Sequence, residues 1–446
     1  MGRQIEDQLR DAVRSGRLMP GSELPSTRAL AEDLAISRGV VERAYAQLSA
    51  EGYINLRRGA NPSIRDTNVR LTLAREGDVP RARFDLRPQS PDVGAFPRHA
   101  WQRSVQAALT SASDADLGYG DPAGLWPLRV ALADYLGRAR GVVADPSRIL
   151  ITSGSTHALS LVARALARAG ASSIGFENPS QRVHHAVVRR AGLEVVGIPI
   201  DDEGIDVDGL RAHSLPAVAV TPGHQFPAGS FLSESRRAEL VDWARSTGAL
   251  IIEDEYDAGF GYDRAPAGAV QALAPESVAY LGTTSKTLAP ALRLGWAVLP
   301  EAIFADVRDE LDLTILQVPA LLQLAFLSFL ERGELARHVR KMRALYRRRR
   351  DVLVDALESR IEDVQISGIA AGLHLVIRLD SFEEEAQVAK CMRARRIAVQ
   401  TVSWHALSGY DGSPGLLVGY GAISDAAVPI VVEQLDEAIR EARGSR

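Results

Sequence analysis

Apolar positions in the first 56 residues recur at the spacing of short helices. Ile5, Leu9, Val13 and Leu18 follow a near-helical period. Pro20-Gly21 predicts the end of that helix, because proline cannot continue one and glycine permits the turn. Ser26 predicts the N-cap of a second helix over 27–34, with Leu30 and Leu34 one turn apart. Ala35-Ile36 make a turn, Ser37 caps again, and a third helix is expected over 38–50 with Val41, Tyr45 and Leu48 on its inner face. Residues 53–59 then alternate like one arm of a hairpin. Residues 67–83 keep no period, and Gly77 and Pro80 interrupt any helix, which predicts a linker. From about 84 the texture changes. Runs at 148–152, 217–220 and 249–253 read as buried strands, each adjoining a helical segment such as 157–169 or 235–246. That alternation predicts a mainly parallel sheet covered by helices.

The bulk numbers narrow the class. A chain of 446 residues, 46% apolar and 24% charged, is globular and long enough for two or three domains. Its net charge of −4 excludes a wholesale polycation, though not a small nucleic-acid-binding module. One cysteine, Cys391, excludes an intramolecular disulfide and fits a reducing compartment. The first residues are charged and lack the apolar core of a signal peptide. The most apolar stretch, 319–330, is interrupted by Gln323 and is too short to span a bilayer. A soluble cytoplasmic protein without a membrane partner is expected.

Three short helices and a hairpin arm match the helix-turn-helix plan with a wing, in which one helix positions and the next enters the major groove. Charge alone would not find it, because residues 1–66 hold ten arginines against nine carboxylates. Distribution matters more: Arg28, Arg38, Arg43, Arg57 and Arg58 fall on the expected DNA face, and most acids are expected elsewhere. The competing reading is a three-helix protein-interaction module. On Pro20-Gly21-Ser22-Glu23-Leu24-Pro25-Ser26-Thr27-Arg28-Ala29-Leu30-Ala31 and Ser37-Arg38, the block resembles the winged helix of the GntR family of bacterial regulators over nearly its whole length. The resemblance implies double-stranded DNA as partner, with Arg28 and Arg38 at the family's DNA-contacting positions. Val40 replaces the family's usual threonine and Asn61 its second wing glycine, which implies altered phosphate contacts or operator. Family members also usually begin several residues further upstream.

The candidate chemistry centres on a rare residue. Lysine occurs at only three positions, Lys286, Lys341 and Lys390, among 52 lysines and arginines. Arginine cannot form an imine, because its guanidinium stays protonated and delocalised. Lys286 therefore marks a place that needs an amine. Thr283 precedes it by three residues and Arg293 follows by seven, so a hydroxyl and a guanidinium flank it as phosphate ligands. Ser153-Gly154-Ser155-Thr156 lies between a strand and a helix, where backbone N–H groups and hydroxyls form a phosphate site. Glu253, Asp254 and Glu255 end an apolar strand just before Tyr256. A lysine amine, a carboxylate for a pyridine nitrogen and a phosphate cradle together specify pyridoxal 5'-phosphate.

Residues 84–446 resemble the fold type I, aspartate-aminotransferase-like pyridoxal-phosphate enzymes. Further matching runs are Tyr119–Gly124, Thr221–Gly229 and Ala371–His374. With the winged helix in front, the whole chain is similar to the MocR subfamily of GntR regulators. The expected fold is thus a mainly α winged helix-turn-helix over 1–66, the linker 67–83, and an α/β block over 84–446. That block divides into a large part (about 115–310) and a C-terminal α+β subdomain (about 311–446). The resemblance implies Lys286 as the Schiff-base lysine, Asp254 on the pyridine nitrogen and Tyr256 on the ring hydroxyl. It implies Ser155, Thr156, Thr283 and Arg293 as phosphate ligands, and Tyr119 reaching the partner subunit's phosphate in a homodimer. Two departures stand out. Gln181 replaces the usual aromatic that stacks on the ring, and Leu417 replaces the arginine that grips a substrate α-carboxylate. The expected function is therefore a regulator that senses pyridoxal phosphate or an amine condensing with it, with little or no aminotransferase activity. The alternatives are an active aminotransferase with a vestigial DNA module, and a helical interaction module on an inactive enzyme fold.

Overall fold

A computed structural model of the chain describes residues 2–14, 18, 21–56, 60–65, 82–257, 259–262 and 268–444. Contacts divide the chain into two compact units, Met1–Arg81 and Ala82–Arg446.

The first unit contains α1 (Gly2–Arg14), α2 (Thr27–Asp33) and α3 (Arg38–Ala50), then an antiparallel pair, β1 (Ile54–Asn55) with β2 (Ser63–Ile64). Val41, Tyr45 and Leu48 are fully buried against Ile5, Leu24, Ile54 and Ile64, so the predicted inner face of α3 is the core. The Tyr45 hydroxyl donates to the Pro25 carbonyl at 3.0 Å and ties α3 to the start of α2. Ser26 Oγ accepts from the Ala29 N–H at 3.1 Å, the capping bond read from the sequence. Ser37 departs from expectation: it occupies the N-cap position without a side-chain cap. Its own carbonyl takes the Val40 N–H instead, at 3.0 Å. Leu18 is also not on α1, which ends at Arg14; its N–H returns to the Ala12 carbonyl at 3.0 Å and it packs on the core from a bend. Pro20, Arg57, Arg58 and linker residues 67–81 lie outside the described residues.

The strands of the second unit are β3 (Phe84–Asp85), β4 (Ile149–Thr152), β5 (Ser173–Asn178), β6 (Glu194–Asp201), β7 (Gly204–Ile205), β8 (Ala217–Val220), β9 (Leu250–Glu255), β10 (Val278–Thr283) and β11 (Gly295–Val298). They continue with β12 (Ile366–Ser367), β13 (His374–Arg378), β14 (Ile397–Ala398), β15 (Gln400–Thr401) and β16 (Gly415–Gly419). Its helices are α4 (Arg98–Ser111), α5 (Trp126–Arg140), α6 (Ser155–Arg168), α7 (Arg182–Arg190), α8 (Val207–Arg211) and α9 (Glu234–Thr247). After these come α10 (Glu301–Thr314), α11 (Ala320–Glu331), α12 (Glu334–Arg360), α13 (Phe382–Ala394) and α14 (Val428–Gly444).

Eight strands form the main sheet in the order β4-β11-β10-β9-β8-β5-β6-β7. The run from β10 to β6 is parallel, as the alternation of strands and helices predicts. The sheet is nevertheless mixed, because β11 lies antiparallel to both β10 and β4, and β7 antiparallel to β6. Residues 284–294 contain only a short 3-10 turn, too little for the crossover a parallel return requires. The chain doubles back, which keeps Lys286 and Arg293 beside the carboxyl end of β10. Apolar clusters cover both faces: Leu250 and Ile252 of β9 pack with α6, and Ile251 with α9. A smaller antiparallel sheet, β12-β13-β16-β15, forms within the C-terminal part, and β3 pairs with β14. No helix among the described residues is long and apolar enough to cross a membrane.

Candidate cofactor site and nucleic-acid interface

A cavity of about 210 Å³ lies beyond the carboxyl ends of the parallel strands, where open α/β sheets bind ligands. It gathers Ser155, Thr156, Asp254, Tyr256, Thr283, Lys286 and Arg293 from segments distant in sequence. Strand alternation explains the acids: Asp254 faces this cavity, whereas the neighbouring Glu253 and Glu255 point to the other side. None is a solvated turn residue. Glu253 accepts from the Val270 and Gln271 N–H groups, and Glu255 pairs with buried Arg140 at 2.5 Å.

Ser155 opens α6 behind Gly154, whose φ of +116° suits glycine. A Cβ at 154 would lie 3.4 Å from Arg293 Nη2, so the guanidinium rests directly over this turn. Thr283 Oγ1 donates to Ser285 Oγ at 2.9 Å on the lysine loop. Burial lowers the Lys286 ammonium to about 8, while Asp254 and Asp257 oppose the fall. Burial pushes Asp254 up to about 7, against a hydrogen bond from Ser155. Asp254 Oδ1 is buried and has no hydrogen-bond partner among the described residues. Its Oδ2 lies 3.6 Å from Nδ1 of His184, whose Nε2 is 3.3 Å from Thr156 Oγ1. Burial holds His184 down near 4, so the ring is neutral.

Several residues here had no role assigned from sequence. Tyr256 donates to the His224 carbonyl at 3.0 Å and also touches His224 Nδ1, which lies 2.8 Å from Asp257 Oδ2. Gly372 leaves room for this pair, since a Cβ there would meet the His224 ring at 2.3 Å. Buried Glu177 takes the Thr221 N–H at 3.0 Å and its hydroxyl at 2.7 Å. Gln181, in the position of the expected aromatic, donates its amide to Gln89 at 3.0 Å. Gln89 has a φ of +65°, unusual for a non-glycine residue. The matching run Thr221–Gly229 pointed to His224, but no sequence signal joined it to Asp257.

The cavity opens into a wider mouth of about 490 Å³ lined by Asp85, Arg87 and Trp404. Arg87 is held by Asp85 at 2.9 and 2.6 Å. Leu417 lies in neither space; it is fully buried with Phe226, Tyr256, Val376 and Val402. Arg182 stacks on Trp404 at 5.1 Å, and His185 faces Ser180 at 2.8 Å. Tyr119 is 94% exposed and outside the cavity of its own chain.

In the first unit, Arg28, Arg38 and Arg43 are exposed. Two of the nine acids lie beside these arginines. Glu32 pairs with Arg28 at 3.0 Å and Glu42 with Arg38 at 2.8 Å, each one helical turn on. Exposed pairs of this kind contribute about 0–1 kcal/mol, so a DNA phosphate can displace them.

Residues 1–61 match the family described as bacterial regulatory proteins, gntR family, and residues 92–435 match aminotransferase class I and II. The chain is 31% identical to the HTH-type transcriptional regulator YhdI of Bacillus subtilis, over 98% of this chain and 95% of that protein. It is 32% identical to the pyridoxine biosynthesis transcriptional regulator PdxR of Corynebacterium glutamicum, with the same coverage. The chain belongs to the MocR subfamily of GntR regulators. It is also 29% identical to the probable rhizopine catabolism regulatory protein MocR of Rhizobium meliloti, over 95% of this chain and 90% of that one. Among solved structures, the fold is similar to kynurenine aminotransferase of Pyrococcus horikoshii (TM-score 0.73, 24% identity, 80% of this chain and 91% of that chain).

Members of this subfamily are DNA-binding transcriptional regulators with an aminotransferase-like domain, and pyridoxal 5'-phosphate is the cofactor of that domain. The residues present fit the group. Asp254 Oδ1 is a buried acceptor without a donor, as a protonated pyridine nitrogen requires. When bound, the cofactor supplies an aldehyde that Lys286 or an incoming amine can take. Of this chain's residues, Lys286, its ammonium lowered to about 8 by burial, would offer the amine, Asp254 would meet the pyridine nitrogen, and the hydroxyls of Ser155, Thr156 and Thr283 with Arg293 would hold the phosphate.

Proposed function

We propose that this chain is a cytoplasmic, homodimeric regulator that senses pyridoxal phosphate itself, or an amine lacking an α-carboxylate, and has little or no aminotransferase activity. The observation that carries the reading is the burial of Leu417 in an apolar cluster, where the resembling aminotransferases place the carboxylate-gripping arginine. In the mouth, Arg87 is already paired with Asp85, so an α-carboxylate there would have to compete with that carboxylate. In this reading Lys286 binds the cofactor covalently, Asp254 meets the pyridine nitrogen and Tyr256 the ring hydroxyl. Ser155, Thr156, Thr283 and Arg293 take the phosphate, and Arg28, Arg38, Arg43, Arg57 and Arg58 meet DNA. Residues 1–66 form the DNA-binding domain, 67–83 the linker and 84–446 the sensor, its C-terminal subdomain starting near 311.

The homodimer rests on exposure. Leu117, Tyr119, Leu313 and Leu316 are 56–94% exposed, and Gln317 ties the loop at 118–120 to this group through hydrogen bonds at 3.1 and 3.3 Å. A second copy would cover that surface and bring Tyr119 to the partner's phosphate site. Stopped-flow spectra with a panel of amino acids test the function. Slow, incomplete half-transamination is expected. Rapid turnover between an ordinary amino acid and a keto acid would place the protein among the aminotransferases instead.

A further inference from the structure

On the face of the main sheet away from the cofactor site lies a second cavity, of about 470 Å³. Its walls come from α5 (Tyr135, Leu136), from the sheet (Tyr280, Trp296) and from α12 (Leu335, Val339). That size and that apolar lining are those of small-molecule sites. The backbone keeps the space open at Gly259, where φ is +114° and a Cβ would come within 2.9 Å of Val339 Cγ1. Thr283 belongs to the walls of both cavities, and Glu255 faces this one while Asp254 faces the other. An occupant would therefore sit against the strand ends that carry the Thr283–Lys286 loop.

The polar groups of the lining decide its chemistry. Arg140 and Glu255 pair at 2.5 Å and cancel. Among the described residues Arg340 and Arg343 have no acidic partner, and Arg343 Nε donates to the uncharged Gly259 carbonyl at 2.5 Å. The lining thus carries an excess of positive charge above apolar walls. Two of its residues also hold buried donors that lack an acceptor among the described residues: Arg140 Nε and Trp296 Nε1. We infer that this cavity is a second ligand site, for a small amphipathic anion: an organic carboxylate with an aromatic or aliphatic body.

Calorimetry on the full chain loaded with cofactor tests this, using hexanoate, octanoate and 4-phenylbutyrate as probes, with 4-phenylbutyramide as the neutral isostere. At least one carboxylate should bind at one site per chain, and the amide roughly ten- to a hundredfold more weakly, the worth of a charge-assisted contact. Ala336 and Arg340 line the mouth at exposed positions of α12, so Ala336→Trp and Arg340→Gln leave the core intact. The first should block binding and the second weaken it. Binding should persist when borohydride has fixed the cofactor, which separates this site from the one around Lys286. Absence of binding by every probe at about 10 mM, equal affinity for acid and amide, or full binding by Ala336→Trp would each overturn the inference.

Discussion

Phe226, Tyr256, Val376 and Val402 surround Leu417, so an arginine restored there would bury a guanidinium without a partner. Leu417→Arg should therefore cost about 3–5 kcal/mol of stability, the usual penalty of an uncompensated buried charge, without speeding transamination. Urea unfolding beside stopped-flow spectra reads both. A fast, stable variant would mean that position 417 opens onto the cofactor. The titrating groups give a second expectation. Below about 8 the Lys286 amine is mostly protonated, and below about 7 Asp254 is mostly neutral. Both conditions oppose capture, since the free amine attacks the aldehyde and the carboxylate holds the protonated ring. Capture of pyridoxal phosphate by cofactor-free protein should accelerate as pH rises from about 6 to about 8 and level off above. A flat rate across that window would remove Lys286 from the attacking role, as would borohydride-fixed cofactor surviving Lys286→Ala. Single residues were legible where chemistry made them rare, as with Lys286. Asp257 and His224 were not, because 33 positions separate two residues that are each common in loops.

Caps and strand ends carry the next level. Ser26 makes a capping bond to Ala29 and Ser37 makes none to the start of α3, although both fit the same sequence rule. Ser26→Ala should cost about 1 kcal/mol and Ser37→Ala much less, measured as hydrogen exchange of the first turns of α2 and α3. Equal losses would show that Ser37 caps in solution. Elements with strong periodicity were legible from sequence: α3 spans Arg38–Ala50 as its spacing predicts, and β8 fills its apolar run. The mixed sheet was not, because hydrophobic burial is the same for parallel and antiparallel neighbours. Direction was set by the short connection through 284–294, a length that reads as an ordinary loop until β10 and β11 are known to be adjacent.

For the whole molecule, the proposed specificity for DNA would rest on arginines that the protein itself partly neutralises. Arg28 and Arg38 are 80% and 64% exposed in their side chains and each is paired with a glutamate one turn on. Exchanging such an exposed pair for a phosphate or base contact costs about 0–1 kcal/mol, whereas a base-reading arginine contributes about 1–3 kcal/mol. On these magnitudes a contact to DNA would win, and the glutamates would act as a modest brake. Arg28→Ala and Arg38→Ala should each weaken binding to the protein's own promoter by about 1–3 kcal/mol. Glu32→Gln should tighten it by up to about fivefold, because it removes the competitor and a negative charge near the phosphates. For an arginine that contacts phosphate, the dependence of affinity on salt should also fall by about one counterion. Titrations by fluorescence anisotropy at several salt concentrations separate these effects. Undiminished binding by both arginine variants would contradict docking through the starts of α2 and α3, and weaker binding by Glu32→Gln would mean that the Arg28–Glu32 pair holds the arginine in place rather than restraining it.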